Sequence, residues 1–161
     1  MTSYRTEGVL SWDECFLRIA LIIAQRSKDP QTQGGAVVVD TKNIVLGMGY
    51  NGFPRGIDSD KLPWKRSGDS PLISETKHGY VVHAEANAIY NCNIKPEGAK
   101  MYCTLYPCNE CAKTIIQSGI KEIIYLSDKY HDRDAWLASR KLFELAGVKT
   151  RQYNLKEENN A

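Results

Sequence analysis

The chain is 161 residues long, 42% hydrophobic and 25% charged, with a formal net charge of +2. That is the length and composition of one globular domain with a real core. The mild charge argues against a dedicated nucleic-acid surface, and no apolar run approaches the ~20 residues of a membrane span. Met1-Thr2-Ser3-Tyr4-Arg5 lacks the apolar core of a signal peptide. Five cysteines, an odd number with two in one C-x-x-C, suit a reducing compartment better than a disulfide scaffold. The expectation is a soluble cytoplasmic protein that binds neither nucleic acid nor a membrane.

Residues 1–10 read as an arm. Ser11 then opens a helix, with Glu14 completing a capping box. Trp12, Phe16, Ile19, Ala20, Ile23 and Ala24 recur at helical spacing and form a core stripe. The helix fades at Arg26-Ser27-Lys28-Asp29-Pro30, since the residue before proline avoids the helical region. Arg26, Ser27 and Lys28 suit either a phosphate contact or a solvated helix end with cations near its C-terminus. Residues 36–39 and 44–50 read as two strands joined by a turn. The loop Tyr50-Asn51-Gly52-Phe53-Pro54-Arg55-Gly56 suits close approach to a ligand, although Asn-Gly alone is a common turn.

Residues 54–80 form a long polar connection carrying Trp64, Lys65, Arg66 and His78. Loops of that length are usually functional or mobile. A helix is expected over 83–93 and a buried strand over 99–105. The next helix starts at Pro107 and stops at Gly119. A strand over 121–126, a helix over 134–146 ending at Gly147, and a short strand over 148–153 complete the pattern. Residues 154–161 end it as a polar tail. One domain spanning 1–161 is expected: a three-layer α/β sandwich around one mixed sheet of about five strands. The first two strands would be antiparallel and the later ones largely parallel.

Two stretches carry chemistry: His83-Ala84-Glu85 and Pro107-Cys108-Asn109-Glu110-Cys111. Together they spell H-x-E…P-C-x-x-C, the signature of zinc-dependent nucleobase deaminases. A catalytic zinc takes three protein ligands and leaves a fourth position to water. His83, Cys108 and Cys111 supply those three. Glu85 does not ligate; its carboxylate is placed to move protons between water, ring nitrogen and leaving amine. Two rival readings exist. C-x-x-C alone also marks a dithiol redox pair. A closed structural zinc site would need a fourth ligand, for which Cys103 is the nearest candidate; it reads instead as a small buried hydrophobe. In the long loop, acidic Asp58 and Asp60 and basic Arg55, Lys65 and Arg66, with the backbone of Gly49 and Gly52, form a mixed-charge set suited to a magnesium–triphosphate. A loop that merely covers a subunit interface is the plainer alternative.

The chain resembles the deoxycytidylate (dCMP) deaminases of the cytidine deaminase superfamily, from about Trp12 to Tyr153. The stretches carrying the resemblance include Gln25–Pro30, Gly49–Pro54, Leu62–Arg66, His83–Ile89, Pro107–Lys113 and Ser127-Asp128-Lys129-Tyr130-His131-Asp132. Tyr106 departs from the glutamate usual in tRNA adenosine and guanine deaminases. Ala86 and Gly34 replace a common leucine and valine as packing changes. The resemblance implies a cytidine deaminase-like fold and hydrolysis of dCMP to dUMP and ammonia, feeding thymidylate synthesis. It also implies one Zn²⁺ per subunit, a homohexamer, activation by dCTP and inhibition by dTTP, each carried with Mg²⁺. Arg26, Ser27, Asn51, Ala84, Lys129 and Tyr130 are the candidates for substrate contact: Asn51 for deoxyribose, Ala84 backbone for the pyrimidine, the others for phosphate. Two alternatives remain: another deaminase of the superfamily acting on a base, nucleoside or nucleic acid, and a non-catalytic nucleotide-binding or DNA-uptake accessory protein.

Overall fold

The computed structural model describes residues 4–66 and 68–155. The first three residues of the expected arm, and the expected tail from 156 on, lie outside the described residues. Five strands form one mixed sheet: β1 (Gly35–Val39), β2 (Val45–Tyr50), β3 (Lys100–Leu105), β4 (Glu122–Ser127) and β5 (Lys149–Gln152), in the order β2-β1-β3-β4-β5. β1 runs antiparallel to both β2 and β3, whereas β3–β4 and β4–β5 are parallel. The parallel pairs are those joined by helical crossovers, as chain geometry requires.

Helix α1 (Trp12–Ala24) covers one face of the sheet, and α2 (Ala84–Tyr90), α3 (Asn109–Ser118) and α4 (Asp134–Ala146) lie on the other. Alternation along the strands sorts the side chains between two cores. Val37, Val39, Tyr102 and Ile124 pack against Phe16, Leu17 and Ala20 of α1. Ala36, Val38, Met101, Cys103, Ile123 and Tyr125 face Ala88, Ala112, Ile115 and Phe143 on the other side. β1 is buried at every position because both its faces are covered.

Glycines on β1 and β2 let helices approach the sheet. A Cβ on Gly35 would fall 1.9 Å from the Ala20 carbonyl oxygen, and one on Gly49 would fall 2.3 Å from the Ala88 nitrogen. Ser11 caps α1 by accepting from the Glu14 backbone N–H, 3.2 Å away. The Glu14 carboxylate binds Arg18 one turn on. Trp12 does not join the core: it stacks on Phe16 at 5.5 Å but stays 58% exposed, while its neighbour Asp13 takes the contacts to the sheet, accepting from Tyr102 and Arg151. Gly119 and Gly147 stop α3 and α4 with φ of 87° and 67°. The expected helix over 83–93 is shorter, ending at Tyr90. No described helix is long and apolar enough to cross a membrane.

Candidate active site

α2 and α3 begin beside one another, and their first residues carry the chemistry. His83 is the N-cap of α2 and Cys108 the N-cap of α3, both with extended backbone. Cys108 therefore stands one position before the first turn in which sequence spacing put it. Neither side chain makes a capping hydrogen bond, which leaves the imidazole and sulfur available. Cys111 follows in the first turn of α3, and its sulfur returns to the same point. His83 Nδ1 lies 3.4 Å from Cys108 Sγ and 3.4 Å from Cys111 Sγ. The three ligating atoms all fall within 4.8 Å of one another.

That spacing fits zinc. Tetrahedral bonds of about 2.3 Å to sulfur and 2.0–2.1 Å to nitrogen separate S and N ligand atoms by roughly 3.5 Å. Cys103 is buried, and its sulfur lies 3.8 Å from the Ile124 carbonyl oxygen, outside the cluster. The Tyr106–Pro107 segment is held from α4: Trp136 Nε1 donates to the Tyr106 carbonyl at 2.9 Å, and Ser139 Oγ to the Pro107 carbonyl at 2.8 Å.

Without metal, the three groups share protons unequally. The Cys108 thiol is pulled down to about 4 by hydrogen bonding from Cys111 and by the His83 ring beside it. His83 is pushed up to about 9, chiefly by its hydrogen bond to Cys108. Cys111, hydrogen-bonded to Cys108 and buried, is pushed well above the usual thiol range. Glu85 is buried beside them, and burial raises its carboxyl although the His83 charge opposes.

A cavity opens over this cluster. His83, Ala84, Glu85 and Cys108 line its inner end, and Thr104, Leu105, Tyr106, Tyr130, Arg133 and Trp136 line it further out. Asp29, Thr32, Gly34, Asn51 and Lys77 complete the lining, with the Tyr130 side chain hydrogen-bonded to Thr32. Of the substrate candidates, Asn51, Ala84 and Tyr130 reach the cavity. Arg26 is exposed and outside the lining, and Ser27 Oγ donates to the Asn51 carbonyl at 2.8 Å. Lys129 lies over the Tyr130 ring at 4.9 Å, also outside the lining. Gly49 and Gly52 line a separate hollow with Tyr50, Phe53, Arg55, Asn87 and Asn91. Asp58 and Arg66 are not among its lining. Asp58 accepts from the Asp60 N–H, and the Arg66 N–H donates to Asp69.

A family model described as the cytidine and deoxycytidylate deaminase zinc-binding region matches residues 10–127. The chain belongs to that family. It is a deaminase, and the family's zinc-binding character agrees with the His/Cys/Cys cluster. It is 51% identical over 153 residues to a deoxycytidylate deaminase of Mus musculus, covering 94% of this chain and 85% of that one. It is equally 51% identical over 150 residues to the Homo sapiens deoxycytidylate deaminase, covering 92% and 83%. The apo crystal structure of the cyanophage S-TIM5 dCMP deaminase shares the fold with a TM-score of 0.68 at 24% identity, covering 88% of this chain and 96% of that chain.

Sequence reading missed part of this deaminase's cavity. Asp29 and Lys77 form a buried ion pair in its wall, with side chains 2% and 9% exposed. They are 48 residues apart, and no local spacing joins them. Arg133 lines the cavity with its guanidinium 4.5 Å above the Tyr130 ring. Its place just past Tyr130-His131-Asp132 was the only available signal. His78 also lines the cavity, and burial, then the Lys77 charge, lower its pKa.

Proposed function

We propose that this deaminase hydrolyses dCMP to dUMP and ammonia, supplying dUMP for thymidylate synthesis. The observation that carries the reading is the convergence of His83, Cys108 and Cys111 at the inner end of a cavity beside the buried Glu85. The substrate is taken from the relatives at 51% identity, whose names specify deoxycytidylate.

His83, Cys108 and Cys111 would hold one zinc ion, closing three positions of a tetrahedron. When bound there, zinc supplies Lewis acidity that makes a water nucleophilic near neutral pH. Glu85 accepts a proton from the water and delivers it to N3 of the pyrimidine. A second transfer through the same carboxylate goes to the C4 amine, which leaves as ammonia while C4 becomes a carbonyl. Burial suits Glu85 to this role, because it brings the carboxyl towards the pH at which it can both take and give a proton. The Ala84 backbone sits under the pyrimidine, and Asn51 meets the deoxyribose. Tyr130, with Lys129 and Arg133 over its ring, forms the electropositive end suited to the 5′-phosphate. Ser27, outside the cavity lining, holds the Asn51 carbonyl from behind, while Arg26 is exposed and also outside that lining.

The reading extends to regulation: a homohexamer, activated by dCTP and inhibited by dTTP, each with Mg²⁺. Family resemblance supports it, together with the hollow around Gly49, Gly52, Arg55 and Asn91, in which Arg55 hydrogen-bonds Asn91. Asn91 in turn donates to the Met48 carbonyl on β2 at 2.7 Å, and Asn87 to the Tyr50 carbonyl at 2.8 Å. A ligand there would thus bear on the strand leading to Asn51. The deciding experiment compares turnover of cytosine, deoxycytidine, dCMP and single-stranded DNA by the zinc-loaded protein. dCMP should be strongly preferred; equal or better turnover of another member would refute the substrate.

A further inference from the structure

We propose that Lys77 is a positioning residue: through Asp29 it fixes the Asn51 carboxamide as a hydrogen-bond acceptor towards the cavity, which selects the sugar 3′-hydroxyl. The proposal rests on the dCMP reading and deepens it.

Asn51 is buried, and the backbone decides which way its amide faces. Oδ1 accepts from the Gly34 N–H at 2.7 Å, and Nδ2 donates to the Thr32 carbonyl at 2.9 Å. A flipped amide would set donor against donor and acceptor against acceptor, so the network assigns the orientation. The second Nδ2 hydrogen points to Asp29 Oδ2, 3.4 Å away. Both donors are therefore spent, and one lone pair of Oδ1 remains. Such a side chain can accept from a ligand but cannot donate to one. In dCMP the donors are the C4 amine and the 3′-hydroxyl; phosphate, ring oxygen and O2 only accept. The amine belongs at the Glu85 end of the cavity, which leaves the 3′-hydroxyl for Asn51.

Asp29 keeps this arrangement in place. Its Oδ1 accepts from the backbone of Gln31 at 2.9 Å and Thr32 at 3.2 Å, which fixes the segment carrying the Thr32 carbonyl. Lys77 Nζ bridges both carboxylate oxygens at 2.8 and 2.6 Å and reaches Gln31 Oε1 at 3.1 Å. The Lys77 backbone is itself fixed, donating to the Lys65 carbonyl and accepting from the N–H groups of Tyr80 and Val81. A buried ion pair adds little net stability over an apolar replacement. Here it contributes direction: two contacts from Lys77 Nζ hold the Asp29 carboxylate in place, and so keep Asn51 an acceptor.

The test is steady-state kinetics on dCMP and on its 3′-deoxy analogue, 2′,3′-dideoxycytidine 5′-monophosphate. Zinc-loaded wild type is compared with Lys77→Arg and with the double variant Asp29→Asn/Lys77→Met. Wild type should favour dCMP in kcat/KM by roughly tenfold to a hundredfold, mostly through KM. Lys77→Arg should keep that preference. The double variant should bring it to within about threefold, with raised KM for dCMP but zinc content and kcat close to wild type. A double variant with the wild-type preference would overturn the proposal. So would equal kcat/KM for the two nucleotides in wild type, a result that needs no variant to fold. A wild type that does not turn over dCMP at all is a different result: it removes the substrate reading, and this proposal with it.

Discussion

Replacing Glu85 by glutamine separates proton transfer from metal binding. The amide preserves shape at the second residue of α2 and leaves His83, Cys108 and Cys111 untouched. Loss of a positioned general acid–base costs about 10²- to 10⁴-fold in kcat, or about 3–5 kcal/mol of barrier at 1.36 kcal/mol per decade. KM for dCMP should move little. Stability should not fall in compensation. Burial raises the Glu85 carboxyl, so above its unfolded pKa the ionised group opposes folding in the metal-free protein. An uncharged amide removes that opposition, and the metal-free thermal midpoint at pH 7 should stay level or rise. The assay is ammonia release from dCMP, with zinc determined by elemental analysis on the same sample. Turnover within tenfold of wild type would remove Glu85 from the chemistry, and a variant purified without zinc would make it a ligand.

Other outcomes follow from the same geometry. Cys108→Ser and Cys111→Ser should each lose both zinc and turnover, since a hydroxyl replaces a thiolate poorly; Cys15→Ser, Cys92→Ser and Cys103→Ser should keep zinc by elemental analysis, and metal loss from Cys103→Ser would mean a closed site. Zinc uptake at neutral pH should release about two protons from the ligands, one from His83, held near 9, and one from the raised Cys111 thiol; Cys108 is already a thiolate above about 4. Zinc affinity should accordingly weaken about a hundredfold per unit fall in pH between about 5 and 8, as competition with a chelator of known affinity would show; a pH-independent affinity would contradict the proton assignment. Titrating dCTP and dTTP against the dCMP saturation curve should shift it in opposite directions. Arg55→Ala should blunt both shifts and Arg66→Ala should not, because only Arg55 lines the hollow; superimposable curves in wild type would end the regulatory reading.

What the sequence made legible was local. His83-x-Glu85 and the C-x-x-C pair each sit within one turn of a helix start, so spacing alone placed their groups on common ground. Strand and helix order followed from apolar periodicity, and Gly119 and Gly147 marked the helix ends as expected. Helix periodicity put Trp12 in the core stripe, but in the first turn of α1 it is Asp13 that meets the sheet, and Trp12 stays exposed. Cations were harder to place from the sequence. Arg26 read either as a phosphate contact or as a solvated helix end and Lys129 as a phosphate candidate, whereas the cations that line the cavity are Lys77 and Arg133. Lys77 and Asp29 meet only because the 54–80 loop folds back on the segment after α1, a non-local event that no window on the chain contains.

The central claim is a zinc-dependent conversion of dCMP at the His83, Cys108 and Cys111 cluster. Its most direct test is dUMP formation from dCMP by one preparation in three states: as purified, stripped of metal by a chelator, and restored with one equivalent of zinc per chain. The account predicts activity, its loss, and its recovery, in proportion to bound zinc. Full dCMP turnover by the stripped protein, or none after zinc is restored to a folded chain, would contradict it.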